Sequence, residues 1–472
     1  MKRLVIFVLI ALILFQSTAV FADEKNPDVS EENVLEKSGN EKNLLFFSDA
    51  GWKNYFTAGA EIIVTNLCVY NFCTLILDQS WKKINPEIMW KNFTSPWLWD
   101  TSSFLRNQAA HPYFGNMYFT AARSNGLNFW QSFLMTAAGS FLWENCIEAG
   151  NNSLNDFITT TFSGAVVGEV LYRLGNEGAR IHPLLGALFN PVGGLNSILT
   201  GRKLGCEKSS VDSLSFDLGG GLSGEKIESL ESGEPFSKTR LAPKLFFAAE
   251  IVYQNPYGHR TKEFMDQFTA SISGNVFGGG YYLQADLDGE FFSVPLYINQ
   301  NADSNAGVSM NYDVTYSDSG CLSLNSLGAF FKQKINYGAN YFAYGAELGF
   351  VFFGVTENCC EQSGAFAKTG ELTYTFGPIG KFYAEFDSPL AGNFYLGTQL
   401  EYLNSYGNTP KGKKLSGNFL IFNLDASYVH KVYKIFSLGI RGELSKKIRT
   451  DAEPQAYGKD FFAESVFARV AL

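Results

Sequence analysis

The sequence predicts an α+β protein, in which an N-terminal helical module is followed by an antiparallel transmembrane β-barrel of about 12 strands. Three observations favour this fold class. The hydrophobic period changes from helical to two beyond Lys208. The chain begins with an export signal and contains 43 Phe and 23 Tyr. Its last predicted strand ends on the apolar Leu472.

The N-terminus has the three parts of a secretory signal peptide. A basic Lys2-Arg3 pair precedes an apolar run over 4–15. Residues 20–22 are small or acceptable at a signal-peptidase site, and cleavage is predicted before Asp23. The apolar run is short for a membrane-spanning helix, which disfavours the alternative of an uncleaved anchor. We therefore expect export and residence in the outer membrane of a diderm bacterium.

A chain of 472 residues is long enough for more than one folded unit. The residues after the signal peptide are polar and poor in aromatics, which is typical of a flexible segment. The predicted segments are a signal peptide over 1–22, a flexible polar leader over 23–51, a helical module of unknown function over 52–207 and an outer-membrane barrel over 208–472.

Residues with apolar and polar side chains alternate along each predicted strand. The segment 281–288 places Leu283, Ala285 and Leu287 on one face and Gln284, Asp286 and Asp288 on the other. In the last strand Val466 and Val470 point outward and Ser465 and Arg469 inward. A soluble β-sandwich alternates in the same way. Export and the aromatic content favour the barrel.

Composition limits the partners of the chain. A net charge of −9 and a pI near 5.2 exclude nucleic acid as a partner. A membrane barrel implies the lipid bilayer and the barrel-assembly machinery as partners, with a lipid or small polar molecule as the candidate ligand. Seven cysteines are an odd number, and neither Cys68/Cys73 nor Cys359-Cys360 has metal-ligand spacing. We expect no metal and no cofactor.

The helical module has readable helix boundaries. An apolar run over 55–77 predicts either a bilayer span or a helix packed on all sides, and its polar interruptions favour the packed helix. Asn128 and Ser153 are N-cap residues, Ser153 with capping-box spacing to Asp156, whereas Gly126 and Gly175 predict C-terminal ends. The predicted helices cover 113–124, 129–149, 153–174 and 183–199.

A charged cluster lies within this apolar helical pattern. Charges are costly on buried helix faces unless they are paired. Four residues are explained as a structural polar network: Ser140, Asp156, Glu169 and Arg173, of which Glu169 and Arg173 have ion-pair spacing and Asp156 can cap a helix. Four others remain as candidate site residues, with His111 and Arg123 as the expected partners of Glu144 and Glu148.

Three functions fit this cluster. In the first, a polar network holds the helices together, as a plug inside the barrel or a platform under it, with a structural or ligand-binding role. In the second, His111 is a general base, Glu144 and Glu148 are acid/base groups or metal ligands, and Arg123 holds an anionic lipid or envelope substrate. The third is transport of a small polar or lipid ligand. The chain has no G-x-S-x-G, H-E-x-x-H or P-loop motif, which favours the first function.

The stretch from Asn107 to Arg173 resembles a family of exported bacterial proteins catalogued as a domain of unknown function, numbered 3943. The residues that carry the resemblance are Asn107, His111-Pro112, Gly115, Tyr118, Ala122-Arg123-Ser124, Gly126, Ser140, Trp143-Glu144, Glu148, Asn155-Asp156, Gly164, Gly168-Glu169 and Arg173. The resemblance covers roughly 52–199 and implies a helical module joined to a β-barrel. It implies no activity and no catalytic residues.

Overall fold

The computed structural model describes residues 50–75, 84–100, 103–201, 204–231, 234–258, 260–277, 280–298, 300–317, 320–357, 372–406, 417–450 and 458–472. The predicted signal peptide lies outside these residues, and so do the predicted leader up to residue 49 and the Cys359-Cys360 pair. Within the described residues Cys68, Cys146 and Cys206 are free thiols.

Twelve antiparallel strands form a closed barrel in which each strand pairs with its neighbours in sequence and the first pairs with the last. The predicted fold class is therefore confirmed. The strands are β1 Val211–Glu231, β2 Glu234–Tyr253, β3 Phe268–Phe277, β4 Gly280–Leu296, β5 Ala302–Ser317, β6 Gly320–Tyr337, β7 Asn340–Glu357, β8 Leu372–Ser388, β9 Gly392–Tyr406, β10 Asn418–Tyr433, β11 Phe436–Arg449 and β12 Gly458–Ala471. We call the rim where β1 begins and β12 ends the near rim, and the opposite one the far rim.

Contacts between distant strands identify the side chains that face the lumen. Lys381 on β8 lies 2.7 Å from Asp288 on β4, and the amide of Asn275 on β3 donates to Glu443 on β11 at 3.1 Å. Side chains on strands so far apart meet only across the lumen. The residues that alternate with them therefore point outward, and many are exposed and apolar. This apolar belt includes Leu218, Leu245, Leu348, Leu400, Ile440 and Val466.

Seven α-helices and two π-helical turns are described before the barrel. The helices are α1 Trp52–Leu75, α2 Pro86–Thr94, α3 His111–Ser124, α4 Phe129–Leu142, α5 Leu154–Ile181, α6 Pro183–Phe189 and α7 Pro191–Thr200. The π-helical turns are Arg106–Ala110 and Trp143–Ile147. Among the described residues, no helix combines the length and the apolar character needed to cross a membrane.

The predicted helix starts agree with the structure better than the predicted ends. Asn128 forms a capping box with Gln131 at the start of α4, and Ser153 caps α5. The prediction that Gly175 ends a helix is wrong, because α5 continues to Ile181. A Cβ atom on Gly175 would lie 2.7 Å from the Cβ of Asn190, so this glycine serves close packing inside the helix. The predicted helix over 183–199 is divided at Asn190, which caps α7.

The helical module packs on the outer wall of the barrel. Tyr312 on β5 and Ser323 and Asn325 on β6 alternate with lumen-facing neighbours, so their side chains point outward. The Tyr312 hydroxyl donates to the carbonyl of Gln108 at 2.7 Å, and the Ser163 hydroxyl of α5 donates to Asn325 at 2.9 Å. Of the positions that the sequence leaves open, a plug inside the barrel and a platform under it are therefore wrong, and a position beside the barrel is the one observed. The outward direction of Tyr312 and Asn325 shows that the helices lie beside the strands, outside the lumen.

Candidate functional site

Two glycines allow α3 and α5 to approach closely. A Cβ atom on Gly164 would lie 2.6 Å from the Cα of Gly115, and one on Gly115 would lie 1.9 Å from the carbonyl oxygen of Thr160. The two helices run side by side in the same direction from this contact. His111 therefore lies beside the first turns of α5, and Arg123 lies beside its middle.

His111 is held at both ring nitrogens. Its Nε2 lies 3.5 Å from Oδ2 of Asp156, and its Nδ1 lies 3.0 Å from the hydroxyl of Thr160. The Asn155 amide donates to the other oxygen of Asp156 at 2.9 Å. The imidazole is thus fixed by α5, and neither nitrogen is directed at open space.

Glu144 completes the N-terminal cap of α5. Its Oε2 accepts a hydrogen bond from the backbone N–H of Ser153 at 2.8 Å, and its side chain is buried. In a capping box Asp156 would accept this bond. The other half of the capping box is present, since the Ser153 hydroxyl accepts from the N–H of Asp156, but the Asp156 carboxylate is directed at His111. The prediction that the Asp156 carboxylate caps the helix is therefore wrong, because Glu144 accepts the bond from the Ser153 N–H in its place.

Glu148 lies just beyond the π-helical turn that ends the α4 region. Its backbone is extended, and its Oε1 accepts from the N–H of Gly150 at 3.0 Å. The predicted common helix face of Ser140, Glu144 and Glu148 is therefore broken by the turn. Ser140 is buried on α4, where its carbonyl accepts from the N–H of Trp143.

The two glutamates have perturbed acidity. Burial raises the pKa of Glu144 well above its ordinary value of 4.5, and the nearby Asp156 raises it further, while the bond from Ser153 opposes the shift. Burial also raises the pKa of Glu148, and the N–H of Gly150 and the His111 ring oppose it. We call His111, Glu144, Glu148 and Asp156 the acidic cluster.

Arg123 does not join the acidic cluster. Its Nε lies 2.8 Å from Oε2 of Glu169, and the Nε of Arg173 lies 2.8 Å from the other Glu169 oxygen. The fully buried Glu169 thus binds two guanidinium groups. Glu263, in the β2–β3 connection, lies 3.5 Å from Arg173 and 3.7 Å from Arg123. We call Arg123, Glu169, Arg173 and Glu263 the arginine cluster.

The expected quartet of His111, Arg123, Glu144 and Glu148 is therefore divided between two clusters. The Glu169–Arg173 pair has the i, i+4 contact expected from the sequence. Glu263, Ser323 and Asn325 are contact residues that were not predicted from the sequence. A signal was present in β6, where the apolar positions change phase between Leu324, which faces the lumen, and Leu327, which faces outward.

The acidic cluster can bind and transfer protons, because it contains an imidazole and three carboxyl groups. The pKa values of Glu144 and Glu148 are raised. Among the residues that the structure describes, no group of three or more His, Cys, Asp or Glu side chains could hold a metal ion. The arginine cluster is balanced in charge, with two guanidinium groups and two carboxylates, and its geometry is that of a structural ion-pair network.

Residues 96–187 match the family model of a domain of unknown function, DUF3943. The predicted resemblance is confirmed, and the match includes all eight of the predicted site and network residues. No curated protein matches the chain. The DUF3943 segment covers α3 to α5 and therefore includes the acidic cluster; Glu263 of the arginine cluster lies outside it.

Solved outer-membrane proteins are similar to the barrel in fold. An outer-membrane channel from Pseudomonas putida F1 shares 8% sequence identity over 56% of this chain and 97% of its own, with a TM-score of 0.31. The NanC porin shares 9% identity over 53% of this chain and 98% of its own, with a TM-score of 0.22. The toluene transporter TodX of Pseudomonas putida shares 6% identity over 55% of this chain and 89% of its own, with a TM-score of 0.22.

Proposed function

We propose that this chain is an outer-membrane protein whose barrel carries the helical module on its outer wall, in a structural or ligand-binding role. One observation supports this proposal above the others. Four outward-facing polar side chains of the wall have partners in the module: Tyr312, Ser323, Asn325 and Tyr374. A polar group that faces lipid without a partner is costly. This part of the wall is therefore suited to a helical partner, and the belt on the other strands is suited to lipid.

The acidic cluster fits a structural role better than a catalytic one. Both nitrogens of His111 have partners, and Glu144 is bound to the N-terminus of α5. A general base needs a nitrogen or oxygen within reach of its substrate. Among the members of the cluster, Glu144 and Asp156 are buried, whereas His111 and Glu148 are half-buried. Because both nitrogens of His111 have partners, Glu148 is the group through which an enzyme acting on a lipid or envelope substrate would be tested.

The outer-membrane assignment is tested by fractionation and by heat-modifiable mobility on unboiled gels. We expect the full chain in outer-membrane fractions with a folded band that shifts on boiling. Recovery in the soluble periplasm without a shift would contradict the proposal.

The structural role is tested with His111→Asn, Glu144→Gln and Glu148→Gln. We expect His111→Asn to weaken assembly of the module, because it removes the contacts to Asp156 and Thr160. The lipid profile of cells should be the same with each variant as with the wild type. A change in lipid profile from a variant that assembles normally would favour the enzyme.

The lumen supports transport of a small polar ligand as a second candidate. It is lined by charged side chains, among them Lys381, Asp288 and Glu443. Tyr257, in the β2–β3 connection, reaches across to Tyr383 on β8, with 3.0 Å between their hydroxyl oxygens. Liposome swelling with purified protein would measure passage of small solutes. Tyr257→Ala should increase swelling if this contact restricts the path, and swelling equal to that of empty liposomes for both proteins would reject transport.

A further inference from the structure

The helical module crosses the apolar belt of the barrel from one rim to the other. On β2 the module covers Tyr253 at the near rim, whereas Leu241 and Leu245, which lie farther from that rim, are exposed. At the far rim of β8 and β9 it covers Tyr374 and Tyr406, whereas Leu400 is exposed closer to the near rim. The module therefore occupies the depth at which the rest of the wall presents apolar side chains outward.

Helix α5 follows this path along the wall. Ile158 packs into the cluster around Tyr374 at the far rim. Val166 and Val170 pack with Tyr312 halfway down, and Glu177 accepts a hydrogen bond from the N–H of Ser210 at the near rim. At 1.5 Å per residue, Ile158 and Glu177 are about 28 Å apart. This distance is close to the roughly 30 Å hydrocarbon thickness of a bilayer.

The polar groups of α5 are sheltered by protein along this path. Thr159, Thr160, Ser163 and Glu169 are buried, between the wall on one side and α3 on the other. A helix with these residues would be unsuited to direct contact with lipid. Enclosed by the wall and by other helices, it presents few polar groups to the outside.

The outward surface of the module is apolar at middle depth. On α1, Val64 is 54% exposed and Leu67 is 49% exposed, and Leu134 on α4 is 62% exposed. Helix α4 has no charged residue over its whole length. Scattered apolar side chains are normal on a protein surface, but this surface continues the belt of the adjacent strands.

Charged and Trp side chains are exposed at the two ends of the module. Ala58 of α1 packs beside Ala122, close to the arginine cluster, so Trp52 and Lys53 belong to the near end. The Asn92 side chain of α2 bonds the carbonyl of Glu148, so Trp90 belongs to the far end. Of the described residues at this far end, the exposed charged ones are Glu87, Lys91 and Arg106. Trp at both boundaries with charges beyond them is the pattern of a membrane-embedded surface.

We propose that the helical module lies within the bilayer beside the barrel, with phospholipid acyl chains covering its outward face. The proposal rests on the proposed outer-membrane function. The covering partner is lipid and not a second protein, because the apolar face is continuous with the belt and the exposed charged side chains of the described module lie at the two depths of the bilayer boundaries. Barrel and module then form one lipid-facing surface.

Photo-crosslinking from single positions tests this inference. p-Benzoylphenylalanine replaces Val64 or Leu134 in the full chain, with Leu348 of the barrel belt as the reference and Lys91 as the exposed polar control. Each protein is reconstituted into vesicles of phosphatidylethanolamine and phosphatidylglycerol, irradiated and analysed by mass spectrometry for lipid adducts. We expect adduct yields at Val64 and Leu134 that match the yield at Leu348 and are several-fold above that at Lys91.

The outcomes separate this inference from the proposed function. Adducts at Leu348 without adducts at Val64 and Leu134 would overturn the bilayer position of the module and leave the barrel in the membrane. Crosslinks from Val64 or Leu134 to a second protein chain in place of lipid would also overturn it. An absence of lipid adducts at Leu348 would reject the outer-membrane assignment, and the inference with it.

Discussion

The hydroxyl of Ser163 on α5 donates a hydrogen bond to Asn325 on the outward face of β6, at 2.9 Å. The two residues are 162 positions apart, and both are fully buried. Polar side chains at such a position require a partner because water is excluded from both. This bond therefore belongs to the interface that holds the module against the barrel.

Ser163→Ala should weaken this interface by about 1–3 kcal/mol, because Asn325 would keep its buried polar group and lose its hydrogen bond. Replacing both partners with apolar residues removes the unsatisfied group. Ser163→Ala combined with Asn325→Leu should therefore recover much of the loss. The measurement is the temperature at which the helical circular dichroism signal is lost. A double variant less stable than the sum of the single effects would contradict the prediction.

Removing the central carboxylate of the arginine cluster should have a larger effect. Glu169→Gln leaves Arg123 and Arg173 buried without their shared counter-charge, at an expected cost of about 3–5 kcal/mol. Glu263→Gln is the matched control, because Glu263 is 66% exposed and its loss should cost about 1 kcal/mol or less. Chemical denaturation followed by helical signal compares the two. A loss of stability in Glu169→Gln no larger than that in Glu263→Gln would show that the buried charge pairing contributes little.

The α3–α5 contact should not accept a side chain larger than glycine. In Gly164→Ala the new Cβ would lie 2.6 Å from the Cα of Gly115, so the helices must separate, at an expected cost of about 1–3 kcal/mol or more. Gly59→Ala on α1 adds the same methyl group with a nearest neighbour at 3.7 Å and should be tolerated. Protease resistance of the module in outer-membrane fractions measures the difference. Resistance of Gly164→Ala equal to that of Gly59→Ala would disprove the close contact.

Stability of the module should depend on the ionisation of Glu144. Because burial raises its pKa above the ordinary value of 4.5, the folded state holds this proton more tightly than the unfolded state. The associated stability is present below the ordinary pKa and is lost as pH rises through the raised value. Glu144→Gln keeps an oxygen acceptor for Ser153 and cannot ionise. Its unfolding temperature should therefore change less than that of the wild type between about pH 4 and pH 8.

A second substitution separates the charge of Glu144 from its hydrogen bond. Glu144→Ala also removes the acceptor at the N-terminus of α5, and it should be less stable than Glu144→Gln by about 1–3 kcal/mol at every pH. If the two variants unfold at the same temperature, the carboxylate does not cap the helix.

Much of the barrel could be predicted because its signal is local. Alternation along 281–288 placed Leu283 and Leu287 on one face and Asp288 on the other, and in the structure these faces are the outer wall and the lumen. The caps at Asn128 and Ser153 depend on residues within one helical turn, and they were predicted as well. In each of these cases the interacting groups are neighbours in sequence.

The parts that could not be predicted depend on distant residues. Glu144 bonds to the N–H of Ser153 across a π-helical turn, and no helical spacing describes that contact. Arg123 contacts Glu169 because two glycines allow α3 to pack closely against α5. The outward polar face of β6 reverses the usual sense of a membrane strand. Alternation gives the two faces of a strand, but it does not state what covers each of them.

Together with the proposed outer-membrane function, the outward polar groups of the wall also predict an order of events in biogenesis. A barrel that entered lipid before its helices were in position would present the side chains of Ser323 and Asn325 to acyl chains, without the partners that Gln108 and Ser163 provide. The ribosome makes the helical segment first and these strands later. We expect the helices to be free to bind β5 to β8 when these strands form. The helices would then cover this part of the wall no later than it enters the membrane.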